Sequence, residues 1–319
     1  MGYFGLEKIV SCIEGKESFG EFGTWEIGQI KALFKLIGND NARKLVTGEQ
    51  RYLADGSTGK IVQAERVLFD KNGRCIPYGL QERVCDPTGE RIVQPRLDYK
   101  TVLSRFNYLT NSQQIISVNE FETRTNQLID SIKGNKLTRN ILKNTHLPII
   151  ICQNDKDDLG KIAEKYINIA VKSLKIQKPK TCFGNNYEGE LEAMLASVFE
   201  SRYEELLTAM EKGPIIALLF VDVFMGYSVH AQRECMENLP PGFILGGPVD
   251  IGMGIALYPD IFQGFLKNSR LQCSAVQFQS ADYSLRYKFD GQSGLMIQGC
   301  LSESDGVSSG TLLYIGTSQ

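Results

Sequence analysis

The segment FVDVFMGYSVHAQREC, residues 220–235, gathers the side chains best suited to proton transfer and anion binding. Asp222 follows the apolar run IIALLFV at 215–221, and ligand crevices in layered α/β structures open at the carboxyl ends of such buried strands. Ser228 is of a type that caps helices by accepting from an amide one turn later. With Ser228 as the cap, His230 and Arg233 share a helix face. That geometry would let Asp222 or His230 act as a general base and Arg233 hold an anion. The competing reading has Asp222 and Ser228 fixing local backbone and His230 meeting solvent, because closeness in sequence does not create a Ser-His-Asp array.

A second segment, LPPGFILGGPVDIGMGIALYPD at 239–260, carries five glycines and four prolines. Gly247 and Gly252 have the separation of a phosphate-binding loop, yet Met253 and Gly254 stand where that loop needs Lys and Ser or Thr. The dinucleotide fingerprint fails as well, since Leu257 replaces its last glycine. The glycines therefore read as turn residues between short strands, with Pro248 and Pro259 fixing φ at turn entries. Gly252 can also admit a second backbone or a ligand. Ser228, Gly247, Asp250 and Gly252 are accordingly the candidate ligand contacts beside Asp222, His230 and Arg233. No motif implies a cofactor. Eight cysteines without a CxxC pair, and only His146 and His230, predict no metal site.

The elements that must position these residues follow from periodicity. From Asp98, LDYKTVLSRFNYL reads as a helix, and Ser117 with Glu120 forms a capping box ahead of a second helix closed by Gly134. Leu147–Cys152 reads as a strand, and Leu159, Ile162, Ala163, Tyr166, Ile167, Ala170, Val171 and Leu174 trace a helix stripe. The spacing from Leu191 to Met210 predicts another, longer helix stopped by Gly213-Pro214, followed by the fully apolar strand. LQCSAVQFQS, YSLRYKF, LMIQGCL and TLLYIG read as successive antiparallel strands. The expected fold is α+β: a helical and β-hairpin region over 1–145, then a domain over 146–319 with helices on a mostly antiparallel sheet. Within the first region VLFDKNGRCI and RVCDPTGERI repeat at a 16-residue offset, each an Asp-x-x-Gly turn between short strands.

Composition excludes some roles. Apolar content of 42% and charged content of 23% describe an ordinary globular chain of 319 residues. Residues 1–150 hold 21 Lys and Arg against 17 Asp and Glu, and the remainder 14 against 20, too mild an asymmetry for a dedicated nucleic-acid binder. A helix pair at 24–47, with Lys31, Lys35, Arg43 and Lys44 outward, is the one feature that suits DNA. Cysteines set in apolar runs and the lack of a signal or spanning segment point to a cytoplasmic chain away from membranes.

The stretches at 25–49, 74–99, 239–247, 258–260 and 280–288 resemble an uncharacterised bacterial protein family. The likeness spans most of the chain. It implies a bacterial, cytoplasmic setting and supplies no catalytic residues. The functional expectation is a soluble, non-catalytic binding or protein-interaction protein, with a protein partner, a homo-oligomer or a small anionic ligand as its counterpart. The alternative is a hydrolase or transferase acting on an anionic small molecule through Asp222, His230 and Arg233; a DNA-associated role for 24–47 is the weaker one.

Overall fold

The computed structural model describes residues 50–55, 58–63, 68–70, 72–76, 93–111, 116–178, 184–265, 270–290, 294–302 and 308–316. The chain divides into two units, Met1–Val67 with Gly79–Glu82, and Leu68–Tyr78 with Arg83–Gln319. In the first unit β1 (Gln50–Asp55) pairs antiparallel with β2 (Thr58–Gln63). The helix pair at 24–47 lies outside the described residues.

The second unit is α+β, with seven α-helices among the described residues and sheets that are mostly antiparallel. The division expected near residue 145 falls inside this unit. The reason is burial: α1 (Tyr99–Thr110) sinks Val102, Leu103, Phe106 and Leu109 into the same core as the later strands. Following it, α2 (Val118–Gly134) is capped by Ser117 accepting from Glu120 N–H, and Ser131 Oγ meets the Tyr314 hydroxyl at 2.9 Å.

The central sheet runs in the order β3 (His146–Ile151), β5 (Ile215–Phe220), β12 (Leu312–Tyr314) and β6 (Phe243–Leu245), antiparallel throughout. Every residue of β5 is buried, so both faces of the strand are covered. A second sheet has the order β10 (Gly294–Leu301), β9 (Tyr283–Asp290), β7 (Arg270–Cys273) and β11 (Ser308–Gly310), its last pair parallel. After β11 the chain crosses directly into the central sheet as β12. Between β3 and β5 lie α3 (Leu159–Gln177), β4 (Leu195–Ser197) and α4 (Tyr203–Lys212); β4 pairs with β8 (Val276–Phe278).

Two expectations are corrected. Of the single helix predicted from Leu191 to Met210 only the second half forms, as α4; Leu195–Ser197 is strand β4, Phe199–Ser201 is a single 3-10 turn, and Arg202 between them and α4 takes φ 58°. Its guanidinium donates to the carbonyls of Met236, Leu239, Pro240 and Phe243, and that anchor holds the left-handed backbone. The glycine-rich stretch is not a set of turns between strands. Residues Pro248–Leu257 form a helix, α6, buried at all ten positions, and α7 (Pro259–Phe265) follows. A helix packed on every side has no polar stripe, so periodicity could not announce it. Glycine serves here to let another helix approach: a Cβ at Gly252 would stand 3.0 Å from the Tyr166 carbonyl oxygen of α3. Among the described residues no helix is long and apolar enough to cross a membrane.

Candidate functional site

The proton-transfer candidates have different surroundings. Strand β5 delivers Asp222 to the interior, 5% exposed. Its partner is Arg74, Nη2 to Oδ2 3.8 Å, a residue of the Asp-x-x-Gly turn. That turn forms as the spacing predicts: Asp70 Oδ1 accepts from the Asn72 and Arg74 amides at 2.8 Å each, and Gly73 adopts φ 83°. The second copy of the repeat, at 83–92, lies outside the described residues.

Ser228 caps α5 (Val229–Cys235), accepting from Ala231 N–H at 3.1 Å. The helix leaves His230 exposed. It sends Arg233 the other way, where Nε donates to the Ser274 carbonyl at 3.0 Å and Nη2 to the Val276 carbonyl at 3.1 Å. The guanidinium fork thus braces the turn between β7 and β8. Asp222 is drawn to Arg74, Arg233 to backbone carbonyls and His230 to solvent, so the structure does not gather the three on one reacting group.

Gly247, Asp250 and Gly252 lie around the first turns of α6. Asp250 Oδ1 accepts from Gly247 N–H at 2.9 Å and from the Tyr203 hydroxyl at 3.2 Å, and that hydroxyl accepts in turn from Val249 N–H at 3.0 Å. Burial pushes the Asp250 carboxyl up to about 7 against the opposing pull of these hydrogen bonds. Burial likewise raises the Tyr203 phenol well above its ordinary range, so it remains a donor. A Cβ on Gly247 would lie 2.5 Å from the Tyr203 ring. These residues face packed protein. Among the described residues no group of three His, Cys, Asp or Glu side chains could hold a metal ion.

An open concavity lies elsewhere, between α1 and the C-terminal half of α3. It encloses about 580 Å³ and is lined by Lys100, Thr101, Ser104, Arg105, Tyr108 and Leu109 of α1 and by Ser173, Ile176 and Gln177 of α3. The spacing explains the lining: 100, 104 and 108, like 101, 105 and 109, recur at one helical turn, while Val102, Leu103 and Phe106 turn inward. Asp98 caps α1 by accepting from Thr101 N–H at 3.0 Å, and this bond first, then one from the Thr101 hydroxyl, lowers its pKa. Arg105 reaches over the floor to the Leu257 carbonyl at the end of α6. Lys172 spans the two helices, Nζ donating to the Leu109 carbonyl at 3.2 Å and lying 5.4 Å from the Tyr108 ring centre.

The walls are rigid where they touch the core. Ser173 Oγ donates to the Ala256 carbonyl at 2.7 Å, and the Gln177 amide joins Asp260 and Gln263. They are open where they face water, with Tyr108 63% and Ile176 51% exposed. Lys100 and Arg105 give the lining positive charge, with Asp98 and Asp260 at its edge bonded to Thr101 and Gln177. Sequence reasoning passed over these residues because polar positions at helical spacing read as an ordinary solvated face. The only available signal was the concentration of Lys, Arg, Ser and Tyr along a single face of α1. No protein-family model, curated protein or solved structure matches the chain.

Proposed function

We propose that this chain is a non-catalytic binding protein whose α1–α3 cleft takes a small anionic ligand with an apolar or aromatic body. The supporting observation is the lining itself: cations and hydroxyls beside exposed Tyr108 and Ile176, the two edge carboxylates being taken up by Thr101 and Gln177. A volume of about 580 Å³ falls in the ordinary range for small-molecule sites. Lys100 and Arg105 would take the negative group, while Tyr108 and Ile176 would cover the apolar part. A cytoplasmic location fits the burial of all five described free cysteines.

Calorimetric titration with phenyl phosphate and benzoate, against benzyl alcohol as the neutral control, tests the reading. Saturable binding of the anions alone is expected, weakened about tenfold by Lys100→Glu and again by Tyr108→Ala. Equal response to the neutral compound, or no saturation by either anion together with native mass spectra of a ligand-free protein, would remove it.

A further inference from the structure

The polar groups lining the α1–α3 cleft differ in what they already hold. The Thr101 hydroxyl donates to Asp98, Ser173 Oγ to the Ala256 carbonyl and one Arg105 nitrogen to the Leu257 carbonyl. The rest of the guanidinium fork lines the opening together with Lys100, Ser104 and Tyr108, all three of them exposed. Those three stand on successive turns of α1, so a cation, a hydroxyl and an aromatic ring follow one another at intervals of about 6 Å. The flexible Lys100 stem reaches the next turn, where its ammonium joins Ser104 and Arg105. A guanidinium fork alone satisfies a carboxylate; an ammonium and a hydroxyl beside it suit a group with three acceptor oxygens, which is phosphate.

One turn further along, Tyr108 is 63% exposed, and Lys172, anchored on the Leu109 carbonyl, lies 5.4 Å from its ring centre and holds it in place. An open aromatic face of this kind stacks any nucleobase. We propose that the ligand of this cleft is a nucleoside monophosphate, its phosphate on Lys100, Ser104 and Arg105 and its base on the Tyr108 ring. The assignment rests on the reading of the cleft as an anion site and narrows it. A pentose fills the single turn between the two contacts, and a cleft of about 580 Å³ has room for all three parts. Asp98 and Asp260 at the edge oppose the two cations, so phosphate by itself binds weakly and the base supplies the remaining affinity.

The test is calorimetric titration of the purified full chain with adenosine monophosphate, ribose phosphate, adenosine and phenyl phosphate. Adenosine monophosphate should bind at least about tenfold more tightly than phenyl phosphate, whose smaller ring covers less of Tyr108, and than ribose phosphate or adenosine, each of which lacks one contact. Tyr108→Ala should remove about tenfold from adenosine monophosphate and leave ribose phosphate unchanged. Lys100→Glu should weaken both phosphates and leave adenosine unchanged. Phenyl phosphate binding as tightly as adenosine monophosphate would overturn the nucleotide assignment and leave the anion site standing, whereas saturation by no anion would remove both. Adenosine monophosphate affinity that neither substitution alters places the ligand outside the cleft and also overturns the proposal. The four ligands on the unaltered chain decide it even where a variant does not fold.

Discussion

The first turns of α6 and the α1–α3 cleft are built from opposite materials. The former holds Gly247, Asp250 and Gly252, the most motif-like residues of the sequence, and fills its space with Tyr203 and the α3 backbone. The latter comes from an unremarked amphipathic helix and the end of another, and leaves a cleft of about 580 Å³. Unusual composition marked a place that is closely packed, whereas ordinary polar residues acquired an open surface because they line the space between two helices that both pack on α6. Glycine and a buried acid report constraint; whether the constraint serves packing or a ligand depends on what stands opposite.

Substitutions sharpen that contrast by separating stability from binding. The largest loss from a single substitution is expected at the Arg74–Asp222 pair, where Arg74→Met leaves a buried carboxylate and costs about 3 kcal/mol. Urea unfolding of that variant, and of the Arg74→Met/Asp222→Asn double variant, should show most of the loss recovered in the latter; an additive second loss would break the pairing argument.

A comparable effect is expected from pH at Asp250. Its folded pKa, about 7, lies above its value in the unfolded chain, so the folded state holds the proton more tightly. Stability from this group is therefore fullest below about pH 4 and declines as pH rises through about 7, by up to about 4 kcal/mol. Asp250→Asn should flatten that slope in denaturation curves collected between pH 4 and 8. A slope unchanged by the substitution would assign the dependence to other groups.

Gly247→Ala should cost about 2 kcal/mol, because the added methyl enters the space of the hydrogen-bonded Tyr203 ring, and the melting temperature reports it. Smallest in stability are Lys100→Glu and Tyr108→Ala on the open cleft, expected within about 0.5 kcal/mol of the parent by urea unfolding. A large stability loss at either position would place the cleft with the packed interior and dissolve the contrast.

Several features were legible because they are local. The caps at Ser117 and Ser228, the stripe of α3 and the Asp70-to-Gly73 turn depend on neighbours within a few residues, and each forms as its spacing predicts. The strand and turn that replace the first half of the predicted 191–210 helix were not legible, since β4 pairs with β8 and the carbonyls that hold Arg202 belong to residues 236–243. Nor was α6, whose burial on every side erases the polar stripe by which a helix is recognised. In the candidate chemistry, Asp222 lies two residues beyond the end of β5 rather than within the strand, and its cation comes from a turn far upstream.

By itself the sequence determined the α+β class, most element positions and the local caps, because hydrogen bonds within a turn and the two side-chain periodicities are short-range properties of the chain. Tertiary structure alone decided that β12 enters the central sheet between β5 and β6, that Arg233 braces a turn, and that α1 and α3 leave a cleft. Those outcomes depend on which distant surfaces exclude water together, and burial of that kind has no period in the sequence.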